Sequence, residues 1–552
     1  MKRTKKFLVG FLACLSVFAG ALGLAACGDD SSSSGNTSND SNSSSIEQSS
    51  SSSVSSEEGN SSDGENGSEE SNSSNGENSS DEGNSSDEGQ TPAFSQGLSY
   101  TLLDDDTYAV SGIGDCTDTE IVIPSLYNDK IVSSIGDAAF HEHNGLVSVV
   151  IPDSIISIGV QSFAYCFNLM SINIPDNVIS IGYKAFYWCC NLTGITIPDN
   201  VTFIGREAFY ECRNLQFNEF DNAKYLASKT NDYFALVELK SKSSNSYTIH
   251  NDTKVIASYA FASCNKLKSI VIPNGVASIG EYLFAYCDSL TSVTIPENVT
   301  SIGESAFEEC TSLTSIEIPD SVTSIGEFAF AMSGLTSVVI PNSITSIEKG
   351  TFSFCRGLTS VTLLQGITSI NEYAFSNCTA LSSITLPEGV TSIGKWAFYG
   401  CNGLTSVVIP NSITSIDEKA FEGSKHIKNL VCPVFALPYI YKSVLETVII
   451  TSGDTIAYNT FNGCSWLTSV TLPESIISIA EGAFYRCHSL TSIVIPESVT
   501  FIGDSAFYYC NSLTSITFNG TVAEWNAIEK GNEWKYKVAA TKVICSDGTV
   551  TI

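Results

Sequence analysis

The chain has 552 residues and a formal net charge of −32, from 59 acidic and 27 basic side chains. That balance excludes nucleic acid and anionic membrane surfaces as main partners, because both need a basic face. Five histidines and the lack of any Cys-x-x-Cys pair argue against a metal centre.

The chain opens with Lys2, Arg3, Lys5 and Lys6, followed by an apolar run over 7–26 and then Cys27. A positive segment before an apolar one is the layout of a secretory signal peptide, although the run is also long enough for a retained membrane anchor. Leu24-Ala25-Ala26-Cys27, with polar sequence directly after it, resembles the lipobox of bacterial lipoproteins. The resemblance implies a signal peptide over 1–26, lipidation of Cys27, attachment to the membrane through that lipid, and an outward-facing position on a bacterial cell surface. Several acyl chains on one residue bury enough CH₂ groups for stable anchoring.

Residues 27–96 are almost entirely Ser, Asn, Gly, Glu and Asp, with fifteen carboxylates and no Lys or Arg after Cys27. Such a segment has nothing to bury, so it reads as a disordered acidic stalk extended by its own charge. The remainder still carries 44 acids against 23 bases.

From residue 133 the sequence is periodic. Phe140, Phe163, Phe186 and Phe209 are 23 apart. After a gap of 52 the series resumes at Phe261 and runs to Phe421, and after a gap of 40 it returns at Phe461, Phe484 and Phe507. One unit, from Leu290, reads LTSVTIPENVTSIGESAFEECTS. Val293 and Ile295 alternate around Thr294, the period of a strand with one buried face. Pro296 ends that strand, since it cannot donate to a ladder, and Asn298 suits the turn that follows. Val299 and Ile302 mark a second short extended piece. The segment from Glu304 to Cys310 reads as one short helical turn that drives Phe307 inward. A single unit cannot close a core, but stacked units bury a continuous column.

The run L-x-x-L-x-L-x-x-N is similar to the leucine-rich-repeat signature, and its continuation x-x-I-G-x-x-A-F-x-x-C resembles the BspA-like class. The resemblance covers about 100–552. It implies an α/β leucine-rich-repeat solenoid with parallel strands and short helical turns. The apolar residue that directly follows Asn298 and the brevity of the helical segment point to a β-rich version of it. The array is expected over 133–518, with irregular insertions at 213–255 and 425–455, an N-terminal cap over 97–132 and a C-terminal cap over 519–552. Trp525 and Trp534 suit an apolar lid.

Twelve cysteines stand three residues after an anchoring Phe, where other coils have His143, Ser333 and Ser424. A slot shared by Cys and Ser suits a small buried side chain, so a ladder of free thiols is expected in place of disulfides. No glycine-rich phosphate loop, nucleophile elbow or zinc helix is present, which reads as no enzyme, no cofactor and no metal. Two surface rows are candidates for binding. One is the outward centre of the long sheet, with Thr294, Thr362 and Thr385 among valines. The other is an aromatic edge that follows the anchoring Phe: Tyr165, Tyr187, Trp188, Tyr210, Tyr286, Tyr399, Tyr485 and Tyr508. β-branched residues also simply favour strands, and aromatic residues also pack between coils. The resemblance implies an adhesin-like lipoprotein that binds host or neighbouring-cell macromolecules. The aromatic edge keeps glycan capture as the alternative, so the expected partners are extracellular proteins or glycans.

Overall fold

The structure, a computed structural model, describes residues 94–552. They form a β-solenoid of about 19 turns with parallel strands and little helix. Most coils carry two short strands. In the coil of Phe307 these are Ser292–Thr294 and Ser301–Ile302. Ser292–Thr294 pairs in parallel and in register with Ser269–Val271 of the coil before, and Ser301–Ile302 pairs likewise with Ser278–Ile279. Pro296 ends the first strand, and its carbonyl accepts the Val299 N–H at 3.1 Å, which closes the turn that leads to the second.

After the second strand the coils approach very closely. A Cβ on Gly303 would lie 2.8 Å from the Glu281 nitrogen, so glycine here permits contact between backbones. The segment expected to make a helical turn is built differently. Ser305 and Glu309, two residues either side of Phe307, lie at φ 51° and 55°. Between them runs a series of overlapping turns in which alternate N–H groups face opposite ways. Ala306, Glu308 and Cys310 donate three residues back, to Gly303, Ser305 and Phe307. Ser305, Phe307 and Glu309 donate to Glu327, Ala329 and Ala331 of the next coil at 2.8 to 2.9 Å. The third side of the coil is therefore a hydrogen-bonded ladder with no helix in it, and left-handed residues are its structural cost.

The anchoring Phe rings form stacks. Their centroids are 5.0 to 5.6 Å apart along each uninterrupted run, and Phe307 is fully buried. The cysteines beside them are free. The Cys166 thiol donates to the Phe140 carbonyl at 3.0 Å, and Cys189, Cys287 and Cys510 donate in the same way to the Phe of the preceding coil. Ser424 makes the same bond to Phe398 at 2.6 Å, which explains why Ser and Cys exchange in this slot. Burial pushes the Cys166, Cys212 and Cys310 thiols up to about 12.

Both irregular stretches are part of the stack. Strands Asn218–Phe220, Ala223–Leu226 and Ala235–Leu239 form an antiparallel meander, and the last of them pairs in parallel with Val255–Ile256. Neighbouring residues of this sheet go to different cores. Tyr225, Leu236 and Ile256 join the apolar column of the later coils, whereas Leu226, Ala235 and Val255 join that of the earlier ones. At these positions the sheet is thus a wall between two cores, buried on both faces. In the second stretch, strands Asn429–Cys432 and Thr447–Ile450 continue the first strand row in register. A 3-10 helix, Val434–Tyr439, stands there in place of the second strand and the Phe turn.

At the N-terminal end Ser95, placed in the stalk by composition, donates its N–H to Val122 and accepts from Val122 through its hydroxyl. A hairpin of Ser99–Leu102 and Tyr108–Gly112 then joins the second row through Lys130–Ile135. At the other end the Phe507 N–H reaches the Trp534 carbonyl at 2.7 Å, so 519–552 adds a further coil. Trp525 and Trp534 are buried, 5.9 Å apart, and the antiparallel strand Gly548–Thr551 closes the sheet.

Candidate interaction surface

Residues at the outward centre of the first strand row lie side by side. Val271 pairs with Thr294, Val339 with Thr362, and Thr385 with Val408. Strand alternation turns their neighbours Val293, Val338 and Ile384 into the core and leaves the stripe in solvent; Val271 is 66% exposed and Val339 58%. The stripe is nearly uncharged, and its components recur coil after coil.

The aromatic edge belongs to the turn ladder, a different side of the coil, and it forms two groups. In the first, Tyr165 meets Tyr187 edge-on at 5.4 Å and Tyr187 stacks on Tyr210 at 5.5 Å. Lys184 lies over Tyr187 and Arg213 over Trp188, within reach of cation–π attraction. In the second, Tyr485, Tyr508 and Tyr536 stack at 5.1 and 4.8 Å. Tyr286 and Tyr399, in other coils, belong to neither group. Stacking covers the ring faces that meet within each group.

Between the coils of Phe209 and Phe261 lies a cleft of about 350 Å³. Tyr210 and Tyr286 line it, together with Arg206, Phe217, Lys242, Ser258 and Tyr259. The Arg206 guanidinium sits 4.5 Å over the Tyr259 ring and is bonded to Glu207 at 2.8 Å. Lys242 donates to the Ala262 and Tyr259 carbonyls at 2.8 and 3.2 Å, and burial lowers its pKa below the ordinary lysine value. Of the cleft residues Phe209, Tyr210 and Tyr286 stand out in the periodic pattern. The sequence signal for the rest is the gap of 52 residues in the Phe series. Among the described residues no group of three or more His, Cys, Asp or Glu is placed to hold a metal ion. No helix of the described residues is long and apolar enough to cross a membrane.

Stacked coils of two strands and a turn ladder, offering long repetitive surfaces, define a leucine-rich-repeat solenoid of the β-dominated kind. The chain belongs to the family described as BspA type leucine rich repeat region, which matches residues 133–242, 238–359, 345–452 and 439–529. Such repeats serve in general as binding scaffolds and are typical of bacterial surface proteins. Among solved structures, a leucine-rich repeat protein from Bacteroides ovatus is 27% identical, with 76% of this chain and 98% of that chain covered and a TM-score of 0.36. A leucine rich cell surface protein from Faecalibacterium prausnitzii is also 27% identical, covering 79% and 97%, with a TM-score of 0.25. The pneumococcal vaccine antigen PcpA is 19% identical over 61% of this chain and 80% of its own, with a TM-score of 0.23. No curated protein matches the chain.

Proposed function

We propose that this protein is a bacterial cell-surface lipoprotein that attaches to extracellular proteins, of a host or of neighbouring cells, through the extended face of its solenoid. The observation that carries the reading is the exposed, nearly uncharged stripe through Val271, Thr294, Val339, Thr362 and Thr385, repeated at the coil spacing. A long exposed face with almost no charge, on which Val271 and Val339 stand among threonines, offers a protein partner repeated β-branched contacts. The stacked tyrosines favour protein over glycan. Sugar rings dock on open aromatic faces, and the faces within Tyr187–Tyr210 and Tyr485–Tyr508–Tyr536 are already covered. Binding the purified protein to arrays of matrix proteins and of glycans tests this reading. Signal on proteins is the expected result, and signal confined to glycans overturns it.

The anchor is supported by Leu24-Ala25-Ala26-Cys27 in the sequence. Cys27 and the stalk up to residue 93 lie outside the described residues. Metabolic labelling with a fatty acid should mark the wild-type protein and miss Cys27→Ala. Equal labelling of both would end the lipoprotein reading.

A further inference from the structure

The turn ladder is interrupted at the wall between the two cores, and the interruption is itself a binding geometry. In the coil before it, Lys184, Phe186 and Trp188 donate their N–H groups to Arg206, Ala208 and Tyr210 at 2.8 to 3.0 Å. The equivalent N–H groups of the next coil, on Glu207, Phe209 and Glu211, have no acceptor among the described residues. Across the cleft, the Ser258 and Ala260 carbonyls likewise receive no donor, and Lys242 caps the third of that set, Ala262. The Ser258 hydroxyl, buried at the cleft, is also unpartnered. Phe209 stacks on Phe186 but has no aromatic ring on its other side. One wall therefore offers donors at alternate residues, the opposite wall offers acceptors at alternate residues, and an apolar ring stands between them.

We propose that this gap binds an extended segment of another polypeptide. The segment's carbonyls take the N–H groups of Glu207, Phe209 and Glu211, its own N–H groups reach Ser258 and Ala260, and one apolar side chain sits against Phe209. Donors and acceptors that face each other across a slot at two-residue spacing are the complement of a peptide backbone, as in strand addition to an open sheet edge. An anion would meet the carbonyls and Glu207. The second interruption shows what fills such a space. There the chain's own Val434–Tyr439 lies between the coils of Phe421 and Phe461, with Ala436 and Leu437 buried in the same core as both rings. Lys442 stands 22 residues before Cys464, as Lys242 stands before Cys264. At the first interruption the chain is used up in the meander, and the corresponding space is left as the cleft. The proposal rests on protein binding as the general role but not on the exposed stripe, so the two are tested apart.

The experiment is a selection of displayed random twelve-residue peptides on the full chain, followed by synthesis of the enriched peptides. They should bind the wild type at least about tenfold more tightly than Val237→Trp, which fills the cleft floor, a difference of about 1.4 kcal/mol. They should slow hydrogen exchange of the amides within 205–212, and N-methylation at alternate peptide residues should weaken binding by a similar factor. No enrichment, protection confined to other segments, or undiminished binding of the N-methylated peptides would each overturn the proposal. If Val237→Trp loses its circular dichroism signal, the exchange and N-methylation results decide alone. Failure here leaves the array result for the stripe untouched, and failure on the arrays leaves this one.

Discussion

The Cys310 thiol donates to the Phe284 carbonyl of the preceding coil at 3.1 Å. That bond ties the two most regular columns of the fold to each other, and it is repeated coil after coil. Cys264 and Cys464 make no such bond, and each stands in the first Phe coil after an interruption of the series. The thiols are therefore part of the ladder, held protonated and away from solvent. Alkylation of the native protein should leave Cys166, Cys310 and Cys401 unmodified, and alkylation in denaturant should find them as thiols. Recovery of these residues as disulfides would refute the ladder.

The same burial predicts alkaline instability. A thiol that titrates at about 12 when folded, as for Cys310, and near its ordinary value of 9.0 when unfolded, binds its proton more tightly in the folded state. Its contribution is complete below pH 9 and is lost as pH rises from there towards 12, by at most about 1.4 kcal/mol per pH unit for each thiol. Urea midpoints should fall steeply between pH 9 and 11. In Cys310→Ala the dependence should be shallower by one proton. A flat profile over that range would show that the thiols ionise freely in the fold.

Core truncation should depend on position in the stack. Phe307 has rings on both sides, at 5.5 and 5.3 Å, and Phe307→Ala should cost about 3–5 kcal/mol. Phe209 borders the cleft and has a ring on one side only, so Phe209→Ala should cost clearly less. Equal losses in chemical denaturation would mean that the interruption leaves no slack.

Left-handed positions offer a test of the turn ladder. Glu309 lies at φ 55°, where some other coils have Gly400, Gly423 or Gly463 at φ 65° to 82°. Glu309→Gly should hold or raise stability, by up to about 1 kcal/mol, and Glu309→Val should lower it by about 1–2 kcal/mol, because a β-branched residue resists positive φ. If valine is tolerated as well as glycine, the segment is not locked in this form.

Surface substitutions should act weakly one at a time. Tyr399→Ala or Thr385→Ala should reduce binding to an array-identified protein only modestly, since contacts recur along the solenoid and add up. Removal of several consecutive coils should lower it in proportion to length. Loss of all binding from one substitution on the stripe would transfer the function to a single site.

The sequence by itself determined the coil. The 23-residue spacing of Phe, the alternation Val293-Thr294-Ile295 and the stop at Pro296 each follow from side-chain periodicity and backbone chemistry, which are local properties. The Cys-or-Ser slot was legible as a small buried position for the same reason. What the tertiary structure decided is non-local. The turn segment around Phe307 resembles a helical turn in isolation, because only the next coil's carbonyls at Glu327, Ala329 and Ala331 draw its alternate N–H groups outward. The stretch 213–255 gave no sign that Tyr225 and Leu226 face two different cores, since its alternation records only that both faces are buried. The cleft of Lys242, Ser258 and Phe209 was visible in advance only as a missing Phe. Its chemistry comes from backbone groups left without partners across a gap, and a backbone group has no letter of its own in the sequence.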